Sequence, residues 1–164
     1  MVRYAEAPTA SVEITVATSP AVVWPHVIDI DLPARFSPEF QGAEWLAGSG
    51  PALGATFEGH NKHAAVGEWT TTSTVTAFEP ERSFEWTVGD LANKTARWRF
   101  DLEPDGTGCR LRFSAEMGPG PSGLSGAIAA MPDREEEIVD RRVQEWQRNM
   151  SLTIEGIKEL AETA

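Results

Sequence analysis

"DREEEIVDRRVQEWQRNMSLTIEGIKELAE", residues 133–162, carries the pattern that decides the fold. Val139, Val143, Trp146, Met150, Thr153, Ile157 and Leu160 recur at alternating spacings of four and three, which places them on one side of an α-helix. Acidic residues fill the first turn, and Asp133 with Glu136 form a candidate capping box. About 30 residues of helix reach roughly 45 Å. In a chain of 164 residues, only one large curved sheet offers enough apolar surface to cover such a stripe.

That sheet is legible upstream. "SFEWTVG" (83–89), "TARWRFDLE" (95–103) and "GCRLRFSAEM" (108–117) alternate. Phe84, Trp86 and Val88 point one way, with Ala96, Trp98, Phe100 and Leu102, then Cys109, Leu111, Phe113, Ala115 and Met117. Glu85, Arg97, Arg99, Asp101, Arg110, Arg112 and Glu116 point the other way. Such strands belong to an antiparallel sheet with one covered and one wet face. "FQGAEWLAG", "GATFEGHN" and "EWTTTSTVTAF" precede them, separated by turn-forming stretches such as "NKHAAVG" and "EPER". The first strand, "SVEITVA" (11–17), turns Val12, Ile14 and Val16 to one side. Ser19 and Pro20 then open a short helix that Pro25 limits or kinks, with a second helical turn at "DLPARFSP". Residues 1–10 read as a tail and 11–164 as a single domain.

The chain carries 25 acidic and 14 basic residues, a net charge of −11. No basic patch stands out, so a nucleic-acid partner is not expected. One cysteine, Cys109, excludes an intrachain disulfide. No run of about 18 apolar residues is present and "MVRYAEAPTA" has no apolar leader segment, so the expectation is a cytoplasmic protein without membrane insertion, monomeric or homodimeric.

The order strand, two short helices, six strands, long C-terminal helix resembles the START-like helix-grip (SRPBCC) superfamily, and within it the bacterial polyketide cyclase/dehydrase group. The resembling stretches are "SPAVVWPHVIDIDLPARFSPEF", "GATFEGHN", "EWTTTSTVTAFEPERSFEWTVG" and "NMSLTIEGIKELAE". The resemblance implies an α+β fold in which a seven-stranded antiparallel sheet wraps around the long helix. It also implies an apolar cavity between them for a lipid, polyketide or other hydrophobic small molecule. Some members catalyse cyclisation or dehydration, and related folds include chaperone-activating interaction modules, so three function classes stay open.

The candidate site is the covered face. In "FEGHN", Phe57 marks that face and Asn61 shares it by parity. In the next strand, Trp69, Thr71, Ser73, Val75 and Ala77 are taken as covered, leaving Phe78 on the other side. Trp86, Trp98, Phe100, Phe113 and Met117 extend the wall, and Trp146 and Met150 face it from the helix. Arg142 and Asn149 border the helical stripe, Arg142 either pairing with an acid at the rim or offering a ligand a charged donor. Glu58 and His60 fall on the wet face, and His63 is placed in the following turn. A mononuclear metal site needs three or four converging ligands, so no metal and no cofactor is expected. His26 reads as a surface residue near Asp29. "GPGPSGLSGAIAAMP" (118–132) reads as a flexible connection at the cavity mouth, with Leu124, Ile128 and Met131 as closing residues. No Asp, Glu, His, Lys or Tyr appears among the covered strand positions, so the catalytic residues are left unassigned.

Overall fold

A computed structural model describes residues 2–48 and 50–164. The strands are β1 (Thr9–Val16), β2 (Phe40–Trp45), β3 (Thr56–His63), β4 (Gly67–Glu79), β5 (Ser83–Gly89), β6 (Lys94–Asp105) and β7 (Gly108–Met117). They form one antiparallel sheet in the order β1-β7-β6-β5-β4-β3-β2. From β2 to β7 the chain is a meander of hairpins. Helix α1 (Pro20–Val27) and a 3-10 turn at Leu32–Arg35 carry it from one edge strand to the other. Two more helices follow the sheet, α2 (Gly123–Ala130) and α3 (Glu135–Glu162).

Alternation sets the two faces. Phe84, Val88, Phe100, Leu102, Cys109, Leu111, Phe113 and Met117 are buried on one side. On the other side Glu85, Arg97, Arg99 and Glu116 form a cross-strand ion network. In β4 the covered set is Ser73 and Val75, with Trp69 and Thr71 half-buried. The expected phase then fails at one point. The register shifts between Val75 and Ala77, and beyond the shift Phe78, not Ala77, pairs with Phe84. Such a bulge adds one residue to a strand and exchanges its faces. It brings the Phe78 ring 6.1 Å from Phe84 and 5.6 Å from Trp24 on α1.

Helix α3 runs along β1 and β7 and against α1. Val139, Trp146, Met150, Thr153, Ile154, Gly156 and Ile157 are buried along it. At Gly156 the helix backbone meets the Phe36 ring so closely that a Cβ there would lie 2.5 Å from Cδ1 and Cε1 of that ring. The helix starts at Glu135, and Asp133 lies in a preceding 3-10 turn, Pro132–Arg134. The residue at the cap is Arg134, without a side-chain cap bond, so the Asp133–Glu136 capping box does not form. The three glutamates of the first turn remain favourably placed against the helix dipole.

Residues 2–10 are not a tail. β1 begins at Thr9, and Tyr4 is buried in a 3-10 turn, Tyr4–Glu6. Its hydroxyl donates to the Gly120 carbonyl and lies 3.0 Å from Ser122 Oγ. Its amide donates to Glu135 at 2.8 Å, and Arg3 pairs with the same carboxylate at 3.0 Å. The N-terminus thus fastens both the segment after β7 and the start of α3. The segment 118–132, read as a flexible connection at the cavity mouth, contains α2, which Ser122 caps through the Leu124 amide.

Candidate functional site

On the covered face the aromatic side chains form one continuous series of ring contacts. It runs from Trp45 to Phe57 at 5.4 Å, Phe57 to Trp86 at 6.0 Å and Trp86 to Phe113 at 6.3 Å. It continues from Phe113 to Trp98 at 5.7 Å and from Trp98 to Trp146 at 4.5 Å. Phe100 stacks on Phe113 at 4.0 Å. Tilted and edge-on pairs at such separations are favourable beyond the area they bury. Of the residues expected to line the site, Phe57, Ser73, Phe100, Phe113, Met117, Trp146 and Met150 are buried. Asn61, Trp69, Thr71, Trp86, Trp98, Arg142 and Asn149 are half-buried. Asn61 lies opposite Trp69 across the β3–β4 ladder. Among the described residues, neither the Asn61 nor the Asn149 side chain has a hydrogen-bond partner. Trp45 was not foreseen, because the alternation of β2 is weak.

One expectation about the polar groups is corrected, and one open alternative is decided. β3 does not end at Asn61. It continues to His63, which takes the parity of Phe57, Gly59 and Asn61 and so turns toward α3. His63 Nε2 meets Glu145 Oε2 at 3.0 Å, and His63 Nδ1 accepts the Ala65 amide at 3.0 Å. An Nδ1 that accepts a hydrogen bond carries no proton, so the imidazole is neutral and donates from Nε2 to Glu145. With both nitrogens engaged, His63 offers no free base. The signal was present in the sequence: parity from Phe57 reaches His63 if the strand is run two residues further.

Of the two alternatives left open for Arg142, the structure has the pairing with acids. It binds Glu39 through Nη1 at 2.6 Å and Nη2 at 2.7 Å, and Glu145 through Nη1 at 2.8 Å. Its Cζ lies 6.0 Å from the centre of the Trp146 ring. Burial by itself would lower the Arg142 pKa, but the bonds and charges of Glu39 and Glu145 outweigh it and hold the group above its ordinary value. Burial likewise pushes Glu145 up, and the bonds from Arg142 and His63 overcome that, leaving its carboxyl below the usual range. Glu39, Arg142, Glu145 and His63 are therefore one network joining the start of β2, the end of β3 and α3 beside the aromatic series.

Two groupings bring a histidine and two carboxylates within 4.8 Å of one another. In the first, Glu39, His63 and Glu145, Arg142 is already bonded to both acids. The second, Glu44, Glu58 and His60, is on the outer face, as parity indicated for Glu58 and His60. The hydrogen bond to Glu44, 2.8 Å from His60 Nε2, raises the His60 pKa. His26 makes no bond to Asp29 among the described residues. Asp29 accepts the Asp31 amide instead. Cys109 is buried, and burial pushes its thiol up, away from reactivity. A groove of about 300 Å³ lies on the outer face, lined by Thr76, Glu85, Thr87, Lys94, Arg97 and Pro119 among others. Thr76 bonds both Glu85 and Thr87 there.

Near the end of the sheet where β3 turns into β4, Val66 is exposed, and Gly123 of α2 approaches its Cγ1, with a Cβ position 3.7 Å away. Leu124 and Ile128 are half-buried and Met131 is exposed.

Residues 7–154 match the family described as polyketide cyclase/dehydrase and lipid transport, and the chain belongs to that family. The fold is the helix-grip fold of the SRPBCC superfamily. A polyketide cyclase-like protein from Corynebacterium glutamicum, Cgl2372, is 28% identical with a TM-score of 0.67, over 94% of this chain and 91% of that one. The ZhuI aromatase/cyclase from Streptomyces sp. R1128 is 18% identical with a TM-score of 0.66, over 94% and 93% of the two chains. The protein Ara h 8.0201 is 16% identical with a TM-score of 0.56, over 95% of each. No curated protein matches the chain. No helix among the described residues is long and apolar enough to cross a membrane.

Proposed function

We propose that this protein binds a hydrophobic small molecule, of the lipid or polyketide-like class, between the covered face of the sheet and helices α2 and α3. One observation supports this most directly. Trp86 and Trp98 stand in the middle of the covered face, in contact with buried rings on both sides, and yet stay half-exposed. A core closed for stability alone would bury its central indoles; here they present apolar surface, and N–H donors that have no partner among the described residues, to whatever enters. Phe57, Trp146 and Met150 extend the apolar wall, and Asn61, Thr71 and Asn149 supply uncharged polar groups. Leu124 and Ile128 of α2 pack against the same core, which supports a covering role for them together with Met131. Family membership adds weight, since its description includes lipid transport.

The test is native mass spectrometry on protein purified from its own host, followed by tryptophan-fluorescence titration with the extracted compound or with 1-decanol as a surrogate. The expected result is one apolar molecule per chain, with quenching that saturates at that stoichiometry and is lost in Trp98→Ala. A chain that carries nothing and shows no saturable quenching would overturn the proposal.

A further inference from the structure

We infer that the molecule bound in this space has an uncharged or cationic polar end, and that anionic amphiphiles such as fatty-acid carboxylates are rejected. The inference rests on the binding reading above and concerns the charge of the network beside the aromatic series.

Count the charges that face this space. Arg142 contributes one positive charge, Glu39 and Glu145 two negative ones, and His63 is neutral because its Nδ1 accepts the Ala65 amide. The network therefore carries one net negative charge. It is also shielded from water, with side-chain exposures of 15% for Arg142 and Glu39, 24% for His63 and 26% for Glu145. The opposite rim, residues 118–131, contains no charged side chain. Of the other ions at this end, Lys62, Glu68, Arg134, Glu137 and Arg141 are exposed, where water and salt screen them, and Glu135 is paired with Arg3. The Arg142 donors that would bind a carboxylate are directed at Glu39 and Glu145. To bind one, Arg142 would have to release a partner and leave its charge uncompensated in a half-buried site.

A cationic head meets the opposite situation. Glu145 and Glu39 have lone pairs left to accept its protons. An uncharged head, a hydroxyl or carbonyl, finds Asn61 and Thr71 unclaimed among the described side-chain bonds and feels no net repulsion. At a separation of about 6 Å and an effective dielectric near 20, a unit charge against the net charge of this network changes affinity by more than tenfold.

The experiment compares three probes with one hydrocarbon chain at pH 7.5: decylamine, 1-decanol and decanoate, each below its aggregation limit, followed by tryptophan fluorescence and calorimetry. The expected result is that decanol and decylamine bind at least about tenfold more tightly than decanoate. The Glu39→Gln, Glu145→Gln double variant, checked by circular dichroism for folding, should close the gap by admitting decanoate. Because its surface charges elsewhere are unchanged, non-specific attraction of decylamine to the acidic protein would persist in it and so be recognised. Decanoate binding to the wild type as tightly as decanol overturns the inference and leaves the binding reading standing. Failure of all three to bind overturns the binding reading, and the inference with it. Should the double variant not fold, the wild-type comparison of decanol with decanoate decides alone.

Discussion

Replacing Trp146 by alanine separates a structural wall from an idle one. The indole is 9% exposed, contacts the Trp98 ring at 4.5 Å and lies under the Arg142 guanidinium at 6.0 Å. A tryptophan buries roughly 200 Å², and at about 25 cal/mol per Å² its transfer term is roughly 5 kcal/mol as an upper figure. Alanine retains a small part of this, and the gap opens toward the half-exposed Trp98, where water or a neighbour can enter. Loss of the aromatic pair adds about 1 kcal/mol to the cost. The expected destabilisation is about 3–4 kcal/mol, within the usual range for tryptophan truncation. For a domain of this size that is a drop in melting temperature of roughly 10 °C. Urea unfolding should be followed by far-ultraviolet circular dichroism, since the mutation alters the fluorescence itself. A loss below about 1 kcal/mol with unchanged affinity for decanol would mean that Trp146 neither packs nor lines the space, and the account of α3 would fall.

Three further outcomes are expected. Tyr4→Phe removes the hydroxyl that bonds Gly120 and Ser122, which should cost about 1–2 kcal/mol and speed proteolytic cleavage within 118–131; an unchanged cleavage rate would refute the fastening role. His60→Ala on the outer face should change stability by less than about 0.5 kcal/mol. His63→Ala, which leaves Glu145 short of a donor, should cost about 1–2 kcal/mol, and equal effects of the two in thermal melts would contradict the placement of His63. Glu145 has its carboxyl below the usual value of 4.5, so it contributes stability above that pH and loses it as pH falls through its lowered value. The stability gap between wild type and Glu145→Gln should therefore narrow on acidification below pH 4.5, and a gap independent of pH would refute the assignment.

The sheet and the long helix were legible because their patterns are strict. In β5 and β7 every second residue is apolar or small and the intervening ones are polar or charged, so faces and ends could be read together. β4 was legible only as far as Val75. A run of threonines and serine fits either face, and the bulge that turns Phe78 inward is fixed by its partner strand rather than by local composition. The aromatic wall followed from parity, except Trp45, whose strand has too little alternation. The charged network was the part hidden from the sequence. Arg142 was seen at the edge of the helical stripe, but Glu39 lies in a loop distant along the chain. His63 was lost by ending its strand two residues early. Tyr4 failed for the same physical reason, since its partners at Gly120 and Ser122 adjoin it only once the sheet has closed.

The strand order has a consequence for how the protein is made. Of the seven strands β1 is made before the others, and its one partner among the described residues is β7, made last, with Thr9 opposite Glu116. Until residue 117 has been synthesised, Val12, Ile14 and Val16 have no strand to pair with, while the hairpins from β2 to β6 assemble from neighbours. Long-range pairing of this kind is slow, because the whole intervening loop must be closed before any contact is gained. During that interval the nascent chain presents an unpaired apolar strand, a template for association with another copy or for a chaperone. The contacts of Tyr4 and Arg3 with the segment after β7 and the start of α3 come later still, so these residues are made before the sheet and are among the last parts of the fold to be placed.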